Sequence, residues 1–188
     1  MKLNKMNNKV KGFTLVELIV VIAIIGVLAA ILVPSMMGYV QKAKLNSANS
    51  NADSVFKAAA TACTELEVDG QVVDGYSLVV TADLGTNAKT AMTGDVKTKF
   101  EDKMKASLSF KKNSIWAVAV DNGQPKSAAY AESATDKYIG TNPFQATMDE
   151  INKGCLKGKK LDTTSAPAIL AYAFDGTGAT ATSSSSSH

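Results

Sequence analysis

A single carboxylate, Glu17, stands near the start of an otherwise unbroken apolar run from Phe13 to Val33, directly after a small residue, Gly12, and a lysine-rich leader. On translocon scales a carboxylate at the centre of a spanning helix costs roughly 2.5 to 3.5 kcal/mol, less near its end, so an acid kept there points to a function. The 21 residues of the run reach about 30 Å at about 1.5 Å each, the thickness of a bilayer's hydrocarbon core. If the chain is cut between Gly12 and Phe13, the new α-amino group lies four residues before Glu17, one helical turn away, and plus and minus share that turn. Identical helices laid side by side with an axial stagger then pair one chain's carboxylate with the next chain's amine. At about 4 Å and an effective dielectric near 20 the attraction is about 4 kcal/mol before desolvation, enough to offset the insertion penalty. Two plainer readings fit less well. A secretory signal has an apolar region of roughly 7 to 15 residues followed by its small residues, whereas Gly12 precedes a longer run; a simple anchor has no use for Glu17. The residues favour assembly over solitary anchoring.

Elsewhere the chemistry-bearing residues are sparse. Asp83-Leu84-Gly85-Thr86-Asn87-Ala88-Lys89-Thr90 looks like a phosphate loop but lacks glycines at both required positions, so it reads as an ordinary loop. The sole histidine, His188, is the last residue after five serines, which rules out a histidine-based triad or a multi-histidine metal site. Lysines 97, 99, 103, 105, 111 and 112 are interleaved with Asp95, Glu101 and Asp102, the pattern of a solvated helix face rather than a polyanion site. Trp116 and Tyr172 suggest an aromatic platform for polysaccharide, yet each sits on the bulky face of an alternating segment, so core packing is the expectation for both. No paired-carboxylate motif stands out, and the chain reads as neither an enzyme nor a holder of a metal or cofactor.

Charge places the chain in its compartment. All twenty basic side chains are lysine, so no arginine is available to clamp a phosphate with two hydrogen bonds. Residues 1–12 hold Lys2, Lys5, Lys9 and Lys11 and no acid; the positive-inside rule keeps this leader cytoplasmic and sends the rest out. Without the leader, 16 lysines face 17 acids, and the basic balance of the whole chain is no sign of a nucleic-acid partner. In an exported domain Cys63 and Cys155, 92 positions apart, are a candidate disulfide worth roughly 4 to 5 kcal/mol as an upper figure. The residues leave open a bridge or two buried thiols.

The elements that must position these groups follow from periodicity. Pro34 ends the apolar run; an interior proline costs a regular helix about 3 kcal/mol and usually kinks it. Past it Leu45, Ala48, Ala52, Val55, Ala59, Ala62 and Leu66 recur at spacings of three and four, with Phe56 and Cys63 on the edge of the stripe. One helix from about Thr14 to Leu66 is expected, half in a membrane and half packed on a head of about 120 residues, enough for a single core. Turns at Asp69-Gly70 and Asp74-Gly75 end it. In the head we expect strands over Tyr76–Val80, Ser114–Val120, Lys126–Glu132 and Ala168–Phe174, the second and third joined by a turn at Asp121-Asn122-Gly123-Gln124. A helix is expected over Asp95–Leu108, with Val96, Phe100, Met104 and Leu108 on one face. Another is expected over Pro143–Lys153, capped by Asn142, with Phe144, Met148 and Ile151 inward and Gly154 past its end. The fold class is α+β: a long N-terminal helix, transmembrane in one half and amphipathic in the other, packed on a small antiparallel sheet. The expected divisions are a cleaved leader 1–12, a transmembrane helix 13–33, an amphipathic half 34–66, a connecting region 67–113 with a short helix, a sheet region 114–176 with a short helix, and a disordered serine-rich tail 177–188.

Gly12 followed by Phe13-Thr14-Leu15-Val16-Glu17 and a long aliphatic tract, behind a short lysine-rich leader, closely resembles the class III signal of type IV pilins and of the pseudopilins of type II secretion and competence systems. The resemblance covers roughly residues 9 to 40. It implies a precursor cut after Gly12 by a membrane-embedded aspartic peptidase that also methylates the amine of Phe13. The product would polymerise into a helical homo-oligomer, driven by a cytoplasmic ATPase with the platform protein of the assembly machine. Glu17 carries over as the assembly carboxylate, and Gly26 and Pro34 as positions where the helix loosens in the filament. Family members often close a loop near the C-terminus with a disulfide, which Cys63 on the long helix matches only loosely. The implied protein is a single-pass component of the cytoplasmic membrane that becomes an extracellular pilus subunit serving adhesion or motility. The alternatives are a pseudopilin of secretion or DNA uptake and, in another class, a membrane-tethered carbohydrate-binding module.

Overall fold

The computed structural model describes residues 12–80, 94–162 and 164–176. Helix α1 runs Leu15–Val68, followed by strand β1 Gly75–Val80, helix α2 Gly94–Ser107, strands β2 Ile115–Asp121, β3 Gln124–Ala131 and β4 Gly140–Asn142, and helices α3 Met148–Asn152 and α4 Ala166–Asp175. The chain divides into two compact units, residues 1–41 and 42–188. The basic leader up to residue 11, the Asp83–Thr90 loop and the serine-rich tail with His188 lie outside the described residues.

In the second unit the stripe on α1 behaves as its spacing demands: Leu45, Ala48, Ala52, Val55, Ala59, Ala62 and Leu66 are all buried, as is Cys63. Its small residues let the sheet come close. Gly140 of β4 lies so near α1 that a Cβ added there would meet the Ala48 carbonyl and the Asn49 amide. The sheet has the order β1-β2-β3-β4, antiparallel throughout. Its central hairpin turns at Asn122 and Gly123, which take φ values of 49° and 75° between the paired Asp121 and Gln124. Positive φ at both positions is the two-residue hairpin turn that this Asn-Gly pair favours.

Both faces of β2 are buried, which explains why it reads as a nearly continuous apolar run. Trp116, Val118 and Val120 pack with α1 and with Phe100 and Met104 of α2, while Ile115 and Ala117 pack with Ile169, Leu170 and Tyr172 of α4. The second of these layers was not expected. Residues 168–174, read as a strand, are helical in α4. Four alanines in a ten-residue segment favour a helix, Pro167 suits its first turn, and Gly176 caps it at φ 75° with its amide donating to the Tyr172 carbonyl at 2.7 Å. The buried residues Ala166, Ile169, Leu170 and Ala173 fall at helical spacing. The alternation of Leu170, Tyr172 and Phe174 misled because a seven-residue window holds both periods, and Phe174 is in fact exposed. The fourth strand is instead the short β4.

The helix expected over Pro143–Lys153 is also shorter. α3 spans Met148–Asn152, capped by Thr147, whose hydroxyl accepts from the Glu150 amide. Residues 144–146 cannot join it because their backbone groups are committed elsewhere. The Phe144 amide donates to the Ala173 carbonyl at 2.8 Å, and the Phe144 carbonyl accepts from the Thr141 hydroxyl at 2.6 Å. Ala146 bonds through both its amide and its carbonyl to the buried Asn49 side chain. Asn142, expected as the cap, donates to Asp53 on α1 instead. Phe144, expected inward, is 48% exposed.

Candidate functional site

The first unit places the residues that the sequence singles out at one end of α1. Gly12, Phe13 and Thr14 are not helical and are exposed, so the Gly12–Phe13 bond lies in accessible chain just before the helix. Nothing surrounds Gly12 within 4 Å of where a Cβ would be. The helix starts at Leu15 because Thr14 and Glu17 close a reciprocal cap. The Thr14 amide and its hydroxyl each donate to Glu17 Oε2 at 2.8 Å, and the Glu17 amide donates to Thr14 Oγ1 at 3.2 Å. This is the capping box, in which the N-cap side chain and the third helical residue each satisfy the other's backbone amide. The carboxylate therefore carries two hydrogen bonds from its own turn, which lowers the cost of placing it in an apolar setting.

Sequence reasoning missed this role of Thr14, although Thr-x-x-Glu before an apolar run is a readable signal. It fixes the cap and the carboxylate in one device. Gly26 and Pro34 both lie within α1. Pro34 has no amide to offer the Ala30 carbonyl, and near this point the Ser35 hydroxyl donates to the Leu32 carbonyl at 2.8 Å. From Phe13 to Val40 the apolar side chains are exposed on every face of the helix, and α1 is long and apolar enough to cross a membrane.

The other residues considered for chemistry are accounted for by packing and pairing. Trp116 and Tyr172 are 1% and 0% exposed, so neither offers a platform at the surface. Of the six lysines singled out in the sequence, four meet acids: Lys97 with Glu101, Lys103 with Glu65 at 2.7 Å, Lys105 with Asp102 and Lys111 with Glu132. Cys63 and Cys155 are free thiols in the separate clusters that pack on opposite faces of β2. Burial, with Glu67 nearby, pushes the Cys63 thiol up to about 11. Burial and the hydrogen bond that Cys155 donates to Glu150 at 3.2 Å push the second thiol up to about 11 as well. Neither is a ready nucleophile at neutral pH. Among the described residues no three His, Cys, Asp or Glu side chains gather as a metal site.

Residues 7–33 match the family model for the prokaryotic N-terminal methylation motif. The type IV major pilin protein PilA of Myxococcus xanthus is 38% identical over 31% of this chain, and the aligned stretch is 26% of that protein's own length. The fimbrial protein of Neisseria meningitidis serogroup B is 29% identical over 90% of this chain and 99% of its own. The type IV major pilin protein PilE1 of Neisseria gonorrhoeae is 26% identical over the same shares. No solved structure matches. A shared leader alone would stop near residue 33, but the two neisserial alignments continue through the head to the end of those proteins, so the chain is similar to type IV pilins along its length and not only in its leader.

Proposed function

We propose that this structural pilus subunit is made as a membrane-held precursor, cut between Gly12 and Phe13, methylated on the Phe13 amine and polymerised through α1 into a surface fibre. The observation that carries the reading is the apolar surface of α1 around Glu17. Phe13 is 88% exposed and Leu15 74%, and the exposure continues around the helix to Val40. A surface of this extent is covered by lipid or by other copies of itself, and Glu17 distinguishes the two. Its Oε2 is held by Thr14, which leaves Oε1 for the amine of an incoming subunit. Gly26 and Pro34 then serve as points where the helix loosens as neighbours pack, since glycine costs a helix about 1 kcal/mol relative to alanine and proline about 3. The partners implied are further copies of the chain, the peptidase that also methylates, and the ATPase and platform protein of the assembly machine.

The experiment is to shear fibres from cells that make this chain and identify their main component. The chain itself, without residues 1–12, is the expected component. Processed chain confined to the membrane with no fibres would contradict the proposal and favour a short pseudopilus.

The division of labour between the two units gives a further expectation. Removing residues 1–41 should leave a soluble monomer, because the stripe on the remaining part of α1 is covered by its own sheet whereas the deleted part is apolar all round. Size-exclusion chromatography and thermal unfolding check this; aggregation or a non-cooperative transition would contradict the division.

A further inference from the structure

A cleft of about 280 Å³ opens in the head, well away from Glu17 in sequence. Its walls come from three stretches of chain: Lys44, Ser47 and Asn51 on α1, Phe110 and Lys111 after α2, and Tyr130 to Tyr138 around the end of β3. Of these stretches the first belongs to α1, and Tyr130 belongs to β3, while the others lie in the connections α2–β2 and β3–β4. Its size is close to the lower limit of small-molecule sites, about 300 Å³, and suits a ligand of one ring.

The lining decides what kind of ring. Two lysines, Lys44 and Lys111, face two carboxylates, Glu132 and Asp136, so the formal charges cancel. Each cation is already engaged: Lys111 pairs with Glu132, and Lys44 lies 6.0 Å from the centre of the Tyr138 ring. An anion such as phosphate would have to compete with these partners. A purely apolar ligand would strand the hydroxyls of Ser47 and Ser109, the Asn51 amide and the ion pair. The cleft nevertheless has one accessible aromatic surface, that of the half-buried Phe110, which leans on the buried Tyr130 with ring centres 4.7 Å apart and planes tilted by 53°. Donors, acceptors and an aromatic surface that cancel in charge match a molecule with hydroxyls around its rim and C–H groups on its face, since the negative face of an aromatic ring attracts polarised C–H edges. We propose that this cleft binds one neutral pyranose unit of a glycan.

The test uses the full-length chain in detergent micelles, titrated in turn with the methyl glycosides of glucose, galactose and N-acetylglucosamine and followed by saturation transfer from protein to sugar. At least one glycoside should receive transfer and half-saturate at millimolar concentration, as expected for a small ligand with few contacts. Ser47→Trp, at an exposed position on α1, should fill the cleft and weaken binding at least tenfold while the thermal transition stays in place. Asn51→Ala removes one polar partner without filling the space, and a loss of about threefold is expected. Absence of transfer to all three sugars would overturn the proposal, as would equal transfer to the wild type and both variants. Displacement of the sugar by millimolar inorganic phosphate would overturn it too and make the cleft an anion site; binding of a short acidic peptide in place of any sugar would make it a protein contact. The readout needs no fibre, so failure here and failure of assembly are told apart.

Discussion

Glu17→Ala is expected to leave processed subunit in the membrane at wild-type level or above and to cut surface fibres by at least about a hundredfold. Removing the charge lowers the cost of insertion, and the Gly12–Phe13 bond remains exposed ahead of the helix. Each incoming Phe13 amine would then enter an apolar bundle without its anion, and breaking a buried pair by removing one partner costs about 3 to 5 kcal/mol. The Thr14–Glu17 cap supplies the control. Thr14→Ala breaks the same capping box but keeps the carboxylate, and loss of an N-cap costs about 1 kcal/mol. If Glu17 only starts the helix, the two variants should lose fibres equally. If it receives a neighbour's amine, Thr14→Ala should lose less than about tenfold and Glu17→Gln should be nearly as damaging as Glu17→Ala. Processed protein in membranes compared with sheared fibres by electron microscopy separates these outcomes.

The second large effect is on the stability of the head. Gly140→Ala should lower its thermal transition by roughly 10 °C or more, because the new Cβ would fall on the backbone of Ala48 and Asn49 rather than on a side chain that can swing away. Overpacking of this kind costs about 3 kcal/mol. Either β4 leaves the sheet or α1 shifts, and both disturb Asn49, whose amide donates to the Ala146 carbonyl at 2.8 Å while its oxygen accepts from the amides of Thr141 and Ala146. Gly38→Ala, where nothing lies within 4 Å, should leave the same transition in place. Circular dichroism on the full chain in detergent reads both; an unchanged midpoint for Gly140→Ala would mean that β4 does not pack against α1 as described.

What the sequence revealed of this fold depended on how long each pattern runs. The stripe from Leu45 to Leu66 spans six turns, far too many for chance, and every member is buried. The alternation in β2 is backed by the Asn122-Gly123 turn, which permits one chain reversal and fixes the pairing of Asp121 with Gln124. Residues 168–174 carry a pattern too short to separate a period of two from one of three and four, and the signals that decide for a helix are Pro167 before it and Gly176 after it. Residues 143–147 were illegible for a different reason. Their backbone bonds go to Asn49, Thr141 and Ala173, partners that only the folded chain brings near. At the N-terminus the roles expected of Gly12, Phe13 and Glu17 are those that the resemblance implies, whereas the role of Thr14 required recognising that Thr-x-x-Glu is a cap as well as part of a signal.

The central claim is that this chain functions as a processed and assembled subunit, and the N-terminus of the fibre tests it most directly. Mass spectrometry of the N-terminal peptide from sheared fibres should find a chain that starts at Phe13 with one methyl group on its amine. A fibre subunit that starts at Met1, or that has been cut after Ala29 or Ala30, would contradict the account, because the amine one turn before Glu17 would then not exist.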